Sequence, residues 1–138
     1  MFADPIREGL SKGWLHIDAS QLGRDATLEA DVCIIGTGAG GGITADVLSD
    51  TGLKVVMIEE GMLKSSTDFR MQEAEAYPTL YQESASRKTA DKAINILQGR
   101  TVGGSTTVNW TSSFRTPSAT LKFWRERFGL TELTDEHM

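Results

Sequence analysis

The chain has 138 residues, 39% hydrophobic and 24% charged, with a formal net charge of −5, an ordinary balance for one globular domain. A net negative chain with no basic cluster argues against nucleic acid as a partner and against electrostatic docking to an anionic membrane. A single cysteine, Cys33, excludes an intrachain disulfide. No apolar run reaches the roughly 18 residues of a transmembrane span, so the expectation is a cytoplasmic protein, soluble or at most peripheral to a membrane.

In chain order, residues 1–30 carry Trp14, Leu15, His16 and Ile17 between turn-like segments and read as an arm leading into the first strand. No chemistry is assigned to this arm, and His16 reads as a packed or solvated side chain. Val32, Cys33, Ile34 and Ile35 form an apolar run entered from Asp31 and halted at Gly36, which predicts a buried parallel strand with Cys33 as a small buried residue. From Gly41 the pattern turns helical, with Ile43, Val47 and Leu48 on one face. Gly52 closes that helix as a left-handed cap. Residues 54–58 then predict a second buried strand with Glu59 at its C-terminal end, completing a βαβ unit.

The turn inside this unit has the spacing G-x-G-x-x-G: Gly36, Thr37, Gly38, Ala39, Gly40, Gly41. Each glycine has a physical task in dinucleotide binding. Gly36 permits the turn out of the strand, Gly38 lets a pyrophosphate approach the backbone, and Gly41 lets helix and strand pack closely. The helix N-terminus offers unpaired N–H groups and a positive dipole end to the phosphates. Glu59 stands 23 positions after Gly36, near the spacing of about 20 expected of an acid that accepts from ribose hydroxyls. A carboxylate there repels a 2′-phosphate, which favours FAD or NAD over NADP. Glu60 is a weaker competitor for the ribose role.

Beyond Gly61 the sequence is more polar. Ser65, Ser66, Thr67 and Asp68 offer an N-cap for a helix over 69–76, ended by Tyr77 and Pro78. A second helical piece is expected over 79–88, and residues 94–97 read as an extended entry to a second glycine-rich segment, 99–109. Thr116 as N-cap and Pro117 at the first helical position open a last helix, whose Leu121, Trp124, Arg125 and Phe128 make a core-facing stripe before the stop at Gly129. Residues 131–138 read as loose.

Three segments together resemble the N-terminal part of the glucose–methanol–choline (GMC) oxidoreductases: 31–41, then 56–61, then Gly99-Arg100-Thr101-Val102-Gly103-Gly104-Ser105-Thr106-Thr107-Val108-Asn109. The third is the specific one, and together they cover roughly residues 31–117. The resemblance implies an α/β fold, a Rossmann-like βαβ domain that binds FAD over 31–138, and oxidation of an alcohol CH–OH group by hydride transfer to the flavin. It implies that Gly36, Gly38 and Gly41, with the amides of Thr37 and Ala39, hold the pyrophosphate and that Glu59 holds the adenosine ribose. Gly103, Gly104 and Ser105 would pass the pyrophosphate and flavin side, and Asn109 would reach the ring region. Phe114 and Pro117 follow Asn109 one residue later than the family pattern, implying a longer loop there. The family's histidine base, paired with another histidine or an asparagine, has no counterpart here, since His137 lies outside any matching motif. No catalytic residue is therefore assigned, and the chain is expected to be an incomplete N-terminal fragment of a larger two-domain flavoprotein, without the substrate domain. Alone it is expected to be poorly soluble, to retain flavin weakly and to be inactive. An NAD-binding domain and a non-catalytic truncated nucleotide-binding fragment remain as alternatives.

Overall fold

In the computed structural model, which describes residues 3–138, the chain enters through a short helix, α1 (Pro5–Ser11), with Asp4 as its N-cap. This arm is tied down by its side chains. Asp4 accepts from the Thr67 amide and hydroxyl at 3.0 and 2.9 Å, and Arg7 donates to Ser65 Oγ at 3.1 Å and to Asp68 Oδ2 at 2.6 Å. His16 is exposed.

The next elements form the βαβ unit. Strand β1 (Val32–Ile35) runs into α2 (Ala39–Asp50), and β2 (Val55–Ile58) returns parallel to β1, with Val32 opposite Val55 and Ile35 opposite Ile58. Asp31 fixes the entrance: its amide donates to the Lys54 carbonyl at 2.9 Å and its carboxylate accepts from the Lys54 amide at 2.8 Å. Gly52, at φ +84°, turns the chain after α2.

Among the described residues the sheet has two strands and α2 is the one named helix packed on it, so neither strand is buried. Cys33 is exposed rather than buried, and Ile35 is 87% exposed. On α2 the inward residues are Gly41, Ala45 and Leu48, whereas Ile43 and Val47 face out at 67% and 59% exposure. The expected apolar face is thus split, because two strands are too narrow to cover it.

The region after β2 departs most from expectation. Ser65 caps a 3-10 turn (Ser66–Asp68), and its reciprocal bonds with Asp68 complete a capping box there rather than starting a helix at Phe69. Met71 takes a left-handed φ of +56°, and α3 runs over Glu73–Leu80 with Pro78 inside it. Proline removes one backbone donor from the helix, while the Thr79 hydroxyl donates to the neighbouring carbonyl of Glu75 at 2.6 Å. The helix expected over 79–88 does not form. Glu83, Ser84 and Ala85 take positive φ in a turn (Gln82–Ala85), and residues 80–82 pair with 98–100 through Arg100 N–H to Leu80 O (2.7 Å) and Gln82 N–H to Gln98 O (2.9 Å). Long-range pairing here overrides local helical spacing.

Helix α4 (Ser118–Phe128) has Pro117 as its N-cap, one position later than expected, and stops at Gly129 in the left-handed region. Leu121 is fully buried, Trp124 and Arg125 are half-buried, and Phe128 is 62% exposed, so the stripe faces the core only in its first turns. Residues 131–138 are not loose. Arg125 Nη1 donates to the Leu133 carbonyl at 2.7 Å and Ser118 Oγ to Asp135 at 2.6 Å, folding the terminus back on α4. No helix among the described residues is long and apolar enough to cross a membrane.

Candidate functional site

Three segments meet at the C-terminal end of the two-stranded sheet. The first is the turn after β1. Gly36, at φ +95°, donates its N–H to the Ile58 carbonyl at 2.7 Å, extending the ladder by one bond before the chain leaves the sheet. Gly38 is the N-cap of α2, and among the described residues no side chain caps it. The amides of the helix's first turn therefore keep the unpaired donors that a helix start presents. A Cβ built on Gly38 meets nothing within 4 Å, whereas one on Gly41 lies 2.1 Å from the Gly36 carbonyl oxygen. Gly41 thus permits the close packing of α2 on the turn.

The second segment is Glu59, immediately after β2. Its Oε2 accepts from the Thr37 amide at 2.9 Å and from the Thr37 hydroxyl at 2.8 Å, and its Oε1 accepts from the Gly61 amide at 3.0 Å. Partial burial pushes this carboxyl up, but the donors from Thr37 and Gly61 outweigh it and hold the group below the usual carboxylate range. Glu59 is therefore an ionised acceptor aimed at the turn. Glu60 is engaged elsewhere, with Arg100 Nε at 3.2 Å and with the Gln82 amide.

The third segment is the second glycine run. Thr101 is fully buried and donates its hydroxyl to the Met62 carbonyl at 2.7 Å, and the Val102 amide donates to the same oxygen at 3.1 Å. Gly61 lies so close to this strand-like stretch that a Cβ there would be 2.3 Å from the Arg100 carbonyl carbon. Gly103 and Gly104 both take positive φ, opening a 3-10 turn (Gly104–Thr106). Hydroxyls hold the turn: Ser105 Oγ accepts from the Gly99 amide at 3.0 Å, and Thr107 Oγ1 donates to the Val102 carbonyl at 2.8 Å.

The two glycine runs touch. Gly103 donates its N–H to Thr37 Oγ1 at 2.9 Å, and a Cβ on Gly104 would stand 3.0 Å from the Gly38 Cα. Of the residues singled out in the sequence, Gly36, Thr37, Gly38, Gly41, Glu59, Gly103 and Gly104 converge here, with Ala39 in the first turn of α2 and Ser105 bracing the second run. Asn109 is not hydrogen-bonded to either turn among the described residues; its Oδ1 accepts from the Thr111 amide at 2.8 Å in an exposed loop. His137 lies in an exposed terminal turn, its Nδ1 2.9 Å from the Glu132 carbonyl. The sequence pattern did not single out the Thr37 side chain, which joins all three segments. A hydroxyl at the variable position after the first glycine was the only signal.

These groups suit a ligand that brings a pyrophosphate to free amides, a vicinal diol to a carboxylate, and a long body alongside two glycine turns. No group of His, Cys, Asp and Glu among the described residues is arranged to hold a metal ion.

Comparison with known proteins bears on the same segments. The GMC oxidoreductase profile matches residues 77–138. The long-chain-alcohol oxidase FAO4A of Arabidopsis thaliana is 36% identical over 100 residues, which cover 72% of this chain and 14% of the oxidase. The long-chain-alcohol oxidase FAO4B of the same plant is 32% identical over 121 residues, covering 88% and 16% of the two chains and so taking in both glycine runs. The uncharacterised GMC-type oxidoreductase y4nJ of Sinorhizobium fredii is 34% identical over 118 residues, 85% of this chain and 23% of its own. The chain thus spans less than a quarter of the length of each of these relatives. With the profile over the second glycine run and relatives matching across both, the chain belongs to the GMC oxidoreductase family.

Proposed function

We propose that this chain forms the Rossmann-like, FAD-binding part of an oxidoreductase that acts on the CH–OH group of an alcohol, and that the bound flavin supplies the hydride acceptor for that oxidation. The first-turn amides of α2, at Ala39 and Gly41, bind the pyrophosphate, with Gly36, Thr37 and Gly38 shaping its approach. Glu59 accepts from the adenosine ribose. Gly103, Gly104 and Ser105 line the path from pyrophosphate to ring, and Asn109 follows in the ring region. A long-chain alcohol is the donor class we propose, on the names of the plant relatives. No catalytic base is assigned among these residues: His16 and His137 are both exposed, and neither side chain is hydrogen-bonded to a cradle residue among the described residues.

The observation that carries this reading is the bond between Gly103 and Thr37, 2.9 Å, which closes the second glycine run onto the dinucleotide turn. A nicotinamide dinucleotide would use the turn and Glu59 but gives no role to that second run. The test is to purify the native protein, record its visible spectrum and identify any released cofactor by mass. FAD with a two-band flavin spectrum, bleached by a long-chain alcohol without oxygen, is expected. An NAD-binding protein without flavin would overturn the reading, and bound FAD that no alcohol bleaches would reduce it to a non-catalytic binding module.

A further inference from the structure

We infer that Thr37 is a positioning residue whose side-chain hydroxyl couples the Glu59 carboxylate to the second glycine run, so that the two walls of the cradle move as one. The inference rests on the FAD reading for its ligand, and on the geometry alone for the coupling.

A threonine hydroxyl has one proton to donate and two lone pairs with which to accept. Here the proton goes to Glu59 Oε2, 2.8 Å away, and a lone pair takes the Gly103 N–H at 2.9 Å. Donation to an ionised carboxylate polarises the hydroxyl and strengthens its acceptance of the second bond. The backbone amide of Thr37 also donates to Oε2, at 2.9 Å, and Gly61 donates to Oε1 at 3.0 Å. Two of these donors fall on Oε2 and one on Oε1, so a ribose hydroxyl would add its donation on the Oε1 side, which is the less engaged. Glu59 can therefore hold the turn and the ligand together. Gly103 sits at φ +91° with its part-buried amide pointed at Thr37, and Gly104 abuts Gly38 just beyond that bond. Without the hydroxyl the Gly103 amide loses its acceptor, and the second run loses its hydrogen bond to the first. Valine keeps the shape of threonine but can neither donate nor accept; serine keeps the hydroxyl and drops the methyl group.

The test uses Thr37→Val and Thr37→Ser in the native protein, with hydrogen exchange in the flavin-free state and FAD titration as separate readouts. In Thr37→Val the peptide spanning Gly103 exchanges faster while that spanning β1 keeps its protection. The same variant loses about tenfold in FAD affinity, and its acid limit for FAD binding moves to higher pH because Glu59 has lost a donor. Thr37→Ser behaves as the wild type in all three. Unchanged exchange at Gly103 or unchanged FAD affinity in Thr37→Val overturns the inference, as does a serine variant as impaired as the valine one. Should valine loosen β1 as well, Thr37→Ser decides: wild-type protection at Gly103 supports the hydroxyl's role, and lost protection with β1 intact overturns it. If the wild type takes up no FAD, the functional reading fails, while the exchange contrast still decides the coupling.

Discussion

The first glycine run, 36–41, is shaped by regular elements on both sides: β1 delivers Gly36 to the sheet edge and α2 starts at Ala39. The second, 99–107, has no strand or helix of comparable length beside it and is held by hydroxyls, those of Thr101, Ser105 and Thr107, together with single backbone bonds to Met62 and Leu80. One turn is thus a product of secondary structure and the other of side-chain chemistry. They should fail differently: the first through steric intrusion, the second through loss of small polar groups.

The largest effect expected from that contrast is at Gly41. Alanine there would place a methyl group 2.1 Å from the Gly36 carbonyl oxygen, and we expect a loss of about 3 kcal/mol or more in denaturant unfolding. Gly42→Ala, in open space on the same helix, should instead stabilise by about 0.5 to 1 kcal/mol. Equal losses at both sites would mean that helix packing does not set the first turn.

Glu59→Gln comes next. It keeps the shape of the side chain but removes the charge that accepts from Thr37 and Gly61, and about 1.5 to 3 kcal/mol of FAD affinity should go with it. The pH dependence follows from the same carboxylate. Its folded-state pKa is depressed, so its stabilising contribution is complete above the ordinary glutamate value of about 4.3 and is lost as the pH falls through the depressed value. Unfolding curves for wild type and Glu59→Gln should therefore converge on acidification below about pH 4; curves that stay parallel would deny Glu59 this role.

Ser105→Ala is the mildest. It leaves the Gly99 amide without its acceptor at an exposed position and should cost about 0.5 to 1.5 kcal/mol of stability, with faster exchange confined to residues 99–105. Loosening of β1 in this variant would erase the distinction between the two turns.

Legibility in the sequence followed the same division. The order strand, turn, helix, strand and their parallel pairing were readable because each depends on near neighbours: an apolar run, a glycine turn, a helical period and Gly52 as a stop. The turn after β2 was not readable in this way. Ser65 looked like a helix cap, yet its bonds serve a 3-10 turn and the arm through Arg7. Residues 79–88 had helical spacing but pair with 98–100, and no local signal records that pairing. Burial was misjudged at Cys33 and Ile35 because periodicity reports an apolar run and not how many strands lie beside it. At the candidate site, glycines and an acid announced themselves by spacing, whereas the part played by the Thr37 side chain depends on a residue 66 positions away.

That separation also bears on how the protein is made. The pairing of Val32 with Val55 closes a short loop, whereas the bond from Gly103 to Thr37 spans 66 positions and cannot form before Gly103 has been synthesised. Distant closures carry a larger entropic cost and form later than local ones, and pulse-labelled exchange during refolding should find β1 and β2 protected before Gly103. A nascent chain leaving the ribosome would then display an open half-cradle until the second glycine run emerged, and the site would close only when Gly103 reached Thr37.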